Sequence, residues 1–279
     1  MNKPFPSERR VSTALERLRR VEGRHNALLK ELRGAFAKAE LTASGDFAIE
    51  GLRIVEEAIR SGLRFRAVFF RESAPNLVER LMPQIGAHVE TVLLPDKLFA
   101  YAVPSETPQG VAALVRYRQS SLEDNFSRIE LGPVVVVAGL QDPGNLGTIL
   151  RSAEAFGAAG VLLGEGTVSP FNPKVVRGSA GSIFRLSLMR VKLAEVLPQL
   201  RAHGVRLIAT SAHKGTLLQQ ANLAGPVAVM IGGEGAGVPR DLLAKVDEVV
   251  AIPHSEQVES LNAGVAASIV LYEIRRQRS

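Results

Sequence analysis

Cysteine is absent from the 279 residues. Its absence excludes disulfides, thiolate zinc sites, cysteine-ligated iron–sulfur clusters and a cysteine nucleophile. Long apolar runs are absent as well: none approaches the roughly 18 residues that a membrane span needs. The first residues carry Pro4, Pro6, Arg9 and Arg10 but no apolar core. No secretory signal is expected there, and a cytoplasmic location is the default. The five histidines, at 25, 88, 203, 213 and 254, are scattered. None pairs with another at metal-ligand spacing, so no metal is expected. Three common site motifs are also missing. There is no G-x-x-x-x-G-K-[ST], no G-x-G-x-x-G after an apolar run, and Gly178-Ser179-Ala180-Gly181 does not fit G-x-S-x-G. A P-loop, a dinucleotide fingerprint and a nucleophile elbow are thereby excluded.

What is present suits an ordinary globular chain, with 46% apolar and 22% charged residues. The length allows two domains, each with its own core. Lys and Arg outnumber Asp and Glu by 34 to 28, giving a net charge of +6. The excess is concentrated early, where residues 1–33 hold nine basic and four acidic side chains. Arg17, Arg19, Arg20, Arg24, Lys30 and Arg33 can form one basic surface for a polyanion, with nucleic acid the first candidate. Arg19, Arg20 and Arg24 are its candidate RNA contacts. The competing reading is a solvated helix laced with Arg/Glu pairs.

Apolar spacing predicts helices over Ser12–Arg20 and Arg24–Ala39. Strands are predicted at 46–50, 65–70, 88–94 and 111–115, with helices at 51–59, 75–85 and 96–102 between them. This alternation indicates a small α/β domain. Phe36, Phe47, Phe69 and Phe70 are read as core rather than as base-stacking rings. The polar stretch 120–130 is the expected linker.

The second half opens on Val134-Val135-Val136-Val137-Ala138, a continuous run typical of a strand buried on both faces in a parallel sheet. Further strands are predicted at 161–163, 186–189, 205–209, 227–231 and 249–252. Helices are predicted at 146–156, 173–178, 193–203, 240–246 and 261–276. Together they give a parallel sheet of about six strands covered on both faces. Ligands in such sheets bind beyond the carboxyl ends of the strands. Three strand ends there are unusual. Residues 134–138 run into Gly139-Leu140-Gln141-Asp142-Pro143-Gly144-Asn145, where Asn145 is the expected helix cap. Residues 227–231 stop at Gly232-Gly233-Glu234-Gly235-Ala236-Gly237. Residues 249–252 stop at Pro253. In the helix after Asn145, Gly147, Arg151 and Glu154 share a face. Gly147 is expected to clear space over Arg151, and an Arg151–Glu154 pair on a solvated face is the alternative.

These stretches together resemble the motifs of the SpoU (TrmH) family of RNA ribose methyltransferases. Asp142-Pro143-Gly144-Asn145-Leu146-Gly147 with Arg151 is similar to the first motif, and Ile231–Gly237 to the second. Ile252-Pro253, Ser260-Leu261-Asn262, Ala266-Ala267 and Tyr272-Glu273 are similar to the third. Upstream, Ala48-Ile49-Glu50-Gly51 and Thr107-Pro108-Gln109-Gly110-Val111 resemble marks of the substrate-binding domain of many members. His254 and Glu256 depart from the pattern, replacing a Met and a Gly common in the family.

The resemblance implies a C-terminal α/β trefoil-knot domain with a parallel sheet. A smaller, ribosomal-protein-like α/β RNA-binding domain is expected before it. The implied layout is a basic extension over 1–23, a substrate-binding domain over 24–118, a linker over 119–131 and the methyltransferase domain over 132–279. It implies S-adenosylmethionine as methyl donor and a homodimer with the active site at the subunit interface. Arg151, Asn145, Glu234, Ser260 and Asn262 are the implied catalytic-site residues. Gly232, Gly233, Gly237, Ile252 and Leu261, with Thr210 at a strand end, are the implied cofactor contacts. The expected reaction is methylation of a ribose 2′-hydroxyl, with 23S ribosomal RNA favoured over tRNA. The alternatives are a tRNA enzyme, a catalytically silent RNA-binding assembly factor, and a nucleotide-binding enzyme that uses the glycine loop for phosphates. A guanidinium keeps its proton at neutral pH, so Arg151 is expected to clamp phosphate and stabilise the developing alkoxide rather than act as a free base.

Overall fold

The computed structural model describes residues 17–123, 128–235 and 237–279. Residues 12–16 of the first expected helix, 124–127 of the expected linker, and Ala236 lie outside the described residues. The chain divides into two compact units. One is Met1–Tyr117 with Phe171–Val176, and the other is Arg118–Pro170 with Arg177–Ser279.

The first unit runs β1 (Arg19–Arg20), α1 (Ala27–Lys38), β2 (Asp46–Glu50), α2 (Leu52–Arg60), β3 (Phe65–Arg71), α3 (Pro75–Leu81), β4 (Glu90–Leu94), α4 (Asp96–Ala102) and β5 (Val111–Arg116). Its sheet has the order β1-β4-β3-β5-β2. β1, β4 and β3 are parallel, and β5 is antiparallel to both β3 and β2. Here the expected helix over Ser12–Arg20 is corrected: Arg19 and Arg20 form an edge strand on Val92 and Leu93. The two arginines alternate across a strand instead of sharing a helix face. Helix α1 starts at Ala27, where the Asn26 side chain accepts a hydrogen bond from the Leu29 amide. All four phenylalanines expected in the core are buried, with Phe69 and Phe70 fully inaccessible on β3.

The second unit is built on β6 (Val134–Ala138), β7 (Gly160–Leu163), β8 (Leu188–Arg190), β9 (Arg206–Ser211), β10 (Thr216–Leu217), β11 (Val227–Gly232) and β12 (Glu248–Ala251). These seven strands form one parallel sheet in the order β10-β12-β9-β11-β6-β7-β8. The short edge strand β10 is the one that the sequence pattern does not signal, since Thr216 and Leu217 lie in a polar stretch. Helices α5 (Pro143–Ala155), α7 (Leu193–Ala202), α8 (Arg240–Leu243) and α9 (Ala263–Gln277) connect or follow the strands, and in α6 (Pro173–Gly178) the residues up to Val176 are counted with the first unit. The chain moves outward from β6 to β8, then crosses to β9 on the other side of β6. The strand order therefore reverses beside β6, and crevices in open α/β sheets form at such reversals.

Helices α5 and α9 lie against each other. Ser152 and Ser268 share a hydrogen bond of 2.7 Å, and a Cβ on Gly264 would stand 2.9 Å from the Thr148 Cβ. Small residues at this crossing are what allow so close an approach. Gly147 on α5 has a related role: a Cβ there would meet the Gly178 backbone at 2.9 Å. The expected bare surface over Arg151 is thus corrected, because Gly147 is buried under another stretch of backbone.

Candidate active site

The ends of β6, β9, β11 and β12 surround one cavity of 570 Å³. The end of β6 is shaped by the start of α5. Asp142, not Asn145, caps that helix, accepting a hydrogen bond from the Asn145 amide at 2.7 Å. Pro143 occupies the first helical position, where its missing N–H costs nothing. Asn145 therefore sits inside the first turn with its side chain released. Its Nδ2 donates to Glu234 Oε1 at 2.7 Å, joining the β6 end to the β11 end. The Gln141 amide donates to the other Glu234 oxygen at 3.4 Å.

The glycines after β11 fold that strand end back on itself. The Gly237 amide donates to the Gly233 carbonyl at 3.0 Å, making an isolated bridge. A Cβ on Gly232 would fall 2.0 Å from the Gly237 carbonyl carbon, and one on Gly233 would fall 2.6 Å from the Gly139 oxygen. Gly235 and Gly237 also hold positive φ values of 77° and 65°, which residues with a Cβ rarely adopt. The loop thus exposes main chain to the cavity while its return path excludes side chains.

At the third strand end, Asn262 caps α9. Its Oδ1 accepts hydrogen bonds from the Gly264 and Val265 amides at 3.0 and 3.2 Å. The helix starts at Ala263 rather than at the expected Leu261, so Leu261 belongs to the loop and faces the cavity. His254 also lines it, with Nδ1–H donating to the Ile252 carbonyl at 2.7 Å. The His213 ring centroid lies 5.3 Å from that of His254. At the β9 end, the Thr210 hydroxyl donates to the Met230 carbonyl at 3.3 Å.

Asn145, Glu234, Ser260 and Asn262 all line this cavity, together with Thr210, Gly232, Gly233, Gly237, Ile252 and Leu261. Arg151 does not. It is exposed on α5, and among the described residues no hydrogen bond or ion pair engages it. The alternative Arg151–Glu154 pair is also absent, because Arg185 holds Glu154, with Nη2 to Oε2 at 2.9 Å. Ser211, Ala212 and Ala263 line the cavity too and were not anticipated. Ser211 had a readable signal, since β9 continues the apolar run by two polar residues. Among the described lining residues there is no lysine or arginine, and Glu234 is the one carboxylate. Burial pushes the Glu234 carboxyl up. Hydrogen bonds from Asn145, its own backbone amide and Gln141 outweigh this and hold it below the ordinary carboxylate value.

In the first unit, the arginines expected to bind RNA differ in how free they are. Arg19 pairs with Glu90 at 3.5 Å, and Arg20 with Glu72 at 3.0 Å and Glu22 at 3.2 Å. Arg24 instead stacks on the Tyr101 ring, 4.5 Å from its centroid. Arg33 lies 4.2 Å from the same centroid and donates to the Tyr101 hydroxyl at 2.7 Å. Among the described residues no carboxylate pairs with either guanidinium.

The fold and the site have counterparts among known proteins. Residues 132–272 match the SpoU rRNA Methylase family, and residues 26–113 match the MRM3-like substrate binding domain. The 23S rRNA (guanosine(2553)-2′-O)-methyltransferase RlmP of Bacillus subtilis is 32% identical over 258 residues, which span 92% of this chain and 100% of that protein. The SpoU methyltransferase AviRb from Streptomyces viridochromogenes, solved in complex with AdoMet, superposes with a TM-score of 0.80 at 28% identity. The match covers 91% of this chain and 98% of that one. The AdoMet-bound rRNA methyltransferase from Sinorhizobium meliloti gives a TM-score of 0.79 at 27% identity, over 93% and 98% of the two chains. A parallel sheet with a reversal beside β6, three glycine- and asparagine-marked strand ends, and a match over both units lead to one assignment: the chain belongs to the SpoU rRNA methylase family.

Proposed function

We propose that the protein transfers a methyl group from S-adenosylmethionine to a ribose 2′-hydroxyl of RNA, with 23S ribosomal RNA as substrate. The charge of the cavity carries this reading. A pocket with one carboxylate and no lysine or arginine among its described lining residues repels phosphates and suits a cationic sulfonium. Its volume lies within the roughly 300–1,000 Å³ usual for small-molecule sites. The backbone of the Gly232–Gly237 loop, with Thr210, Ile252 and Leu261, would hold the cofactor. When bound, that cofactor supplies an electrophilic methyl group on sulfur.

The chain's residues would align the ribose 2′-hydroxyl in line with that methyl group for displacement of a neutral thioether, and the hydroxyl proton would pass to water or to a neighbouring phosphate. Arg151 clamps that phosphate with two N–H donors and stabilises the oxygen as it loses its proton. Asn145 fixes Glu234, and the pair fixes the loop against which the cofactor lies. Ser260 and Asn262 present polar groups beside the start of α9.

Arg151 stands outside its own chain's cavity, and a second copy accounts for this. Val265, Ile269 and Tyr272 on α9 are 47%, 36% and 56% exposed. Their spacing makes an apolar stripe beside α5. Burying it in a homodimer brings the Arg151 face of α5 to the interface. The remaining assignments follow the same reading: a basic extension over 1–23, an RNA-binding domain over 24–118, a linker over 119–131, a trefoil-knotted catalytic domain over 132–279, and action in the cytoplasm. Among the described residues no helix is long and apolar enough to cross a membrane.

The test is Arg151→Ala together with 2′-O-methylation mapping across total RNA. The variant is expected to lose turnover by at least a hundredfold while binding S-adenosylmethionine within about twofold of the parent. Loss of methylation at one ribosomal position in cells lacking the protein identifies the substrate. A tRNA position instead refutes the ribosomal assignment, and no change at any position favours a silent RNA-binding factor.

A further inference from the structure

Two sequence marks have no part in the cavity of the second unit: Glu50-Gly51 at the end of β2 and Gln109-Gly110 at the start of β5. The structure brings them together at the end of the first unit's sheet where β3 and β4 terminate. The Gly51 amide donates to the Val111 carbonyl at 2.9 Å, and the Arg71 amide donates to the Gly110 carbonyl at 2.9 Å. Gly51 holds a φ of 99°, and a Cβ there would stand 2.6 Å from the Gln109 side-chain oxygen. The positive φ favours glycine there, while the nearby atoms belong to the movable end of the Gln109 side chain.

Within this junction Glu50 is only 6% exposed. The Ser105 hydroxyl donates to its Oε2 at 2.5 Å. Its Oε1 is buried and has no hydrogen-bond partner. A buried carboxylate oxygen without a donor is costly. The adjacent N-terminus of α2 favours negative charge, yet no side chain caps that helix, so its first amides are also open. Arg53, in the second position of α2, is exposed, and no hydrogen bond or ion pair engages it among the described residues. The junction therefore offers a buried acceptor lacking a donor beside a helix end whose first amides no side chain caps.

We infer that this junction is a nucleotide-binding site for an unpaired guanine of the RNA substrate. The guanine Watson–Crick edge places an N1–H and an N2–H side by side, and these donors suit the Glu50 carboxylate. A phosphate of the same strand takes the amides that open α2 and the Arg53 guanidinium. A phosphate alone would be repelled by Glu50, and a base alone would leave the helix end unmet. Because Glu50 Oε1 is buried, entry of the base requires the loop of residues 103–110 to move. Its Gln109 is exposed and Ser105 is half-buried.

This inference rests on the RNA-methyltransferase reading, and its test separates the two. Binding of short single-stranded RNAs to the full-length protein is measured by fluorescence anisotropy, with one central guanosine, inosine or uridine in a uridine background. Guanosine is expected to bind about tenfold more tightly than inosine, which lacks the N2 amine. Glu50→Gln is expected to erase that preference while shifting the melting temperature by no more than about 4 °C, since the amide removes the buried charge although its NH2 group then lacks an acceptor. Arg53→Ala, at an exposed position, is expected to weaken binding of all three RNAs and lower the salt dependence. Equal binding of guanosine and inosine RNAs overturns the site. So does Glu50→Gln if it lowers the melting temperature with the preference intact, which marks a purely structural carboxylate. Methyl transfer to total RNA is assayed on the same preparation. Transfer without a guanine preference overturns this site alone, whereas absence of transfer overturns the reading beneath it.

Discussion

Replacing Asn145 by alanine tests the link between the two strand ends most directly. The side chain is 9% exposed and makes the 2.7 Å bond to Glu234. Without it Glu234 keeps the Gln141 amide at 3.4 Å, a weak contact. A hydrogen bond to a charged group contributes about 1.5–3 kcal/mol. Glu234 is exposed, so solvent screening reduces this to roughly 1 kcal/mol. The expected outcome is a fall in melting temperature of about 2–4 °C and a cofactor affinity about fivefold weaker by calorimetric titration. The pH dependence supplies the sharper readout. Burial raises the Glu234 carboxyl and the hydrogen bonds lower it further than burial raises it, for a net depression. A depressed carboxylate contributes its stabilisation above its ordinary pKa and loses it as pH falls through the folded value. Removing the Asn145 donor lets burial dominate, so acid loss of cofactor binding must move to higher pH. Unchanged affinity together with an unmoved acid limb would refute the proposed function of the Asn145–Glu234 link.

Gly147→Ala should destabilise the fold by about 1–3 kcal/mol, because the new Cβ would stand 2.9 Å from the rigid Gly178 backbone; denaturant titration reads this directly. Asp142→Ala removes the cap on α5 and should cost about 1 kcal/mol by the same titration. Arg24→Ala with Arg33→Ala should lower the salt slope of RNA binding by about 1–2. Arg19→Ala with Arg20→Ala should lower it less, since carboxylates already hold those charges. A larger change for the second pair would place the RNA on the β1 edge.

Much of this fold is legible in the sequence because buried parallel strands are continuous apolar runs. Val134–Ala138 falls where the pattern places it, and the sites at the β11 and β12 ends follow from glycine and proline stopping those runs. What the pattern does not resolve is the competition between neighbours for one role. Arg19 and Arg20 look helical by spacing, but two residues are too few for any period, and the open edge of β4 recruits them as a strand. Gly147 reads as open space from its own helix alone, while the backbone that covers it comes from Gly178. Asp142 and Asn145 are both good helix caps, and only one can serve. Had Asn145 been the cap, its side chain would be tied to α5 and Glu234 would be left with Gln141. Because Asp142 caps, Asn145 is free to reach across 89 positions of sequence to the second strand end. Asp142 is thus a supporting residue of the site although it does not line the cavity.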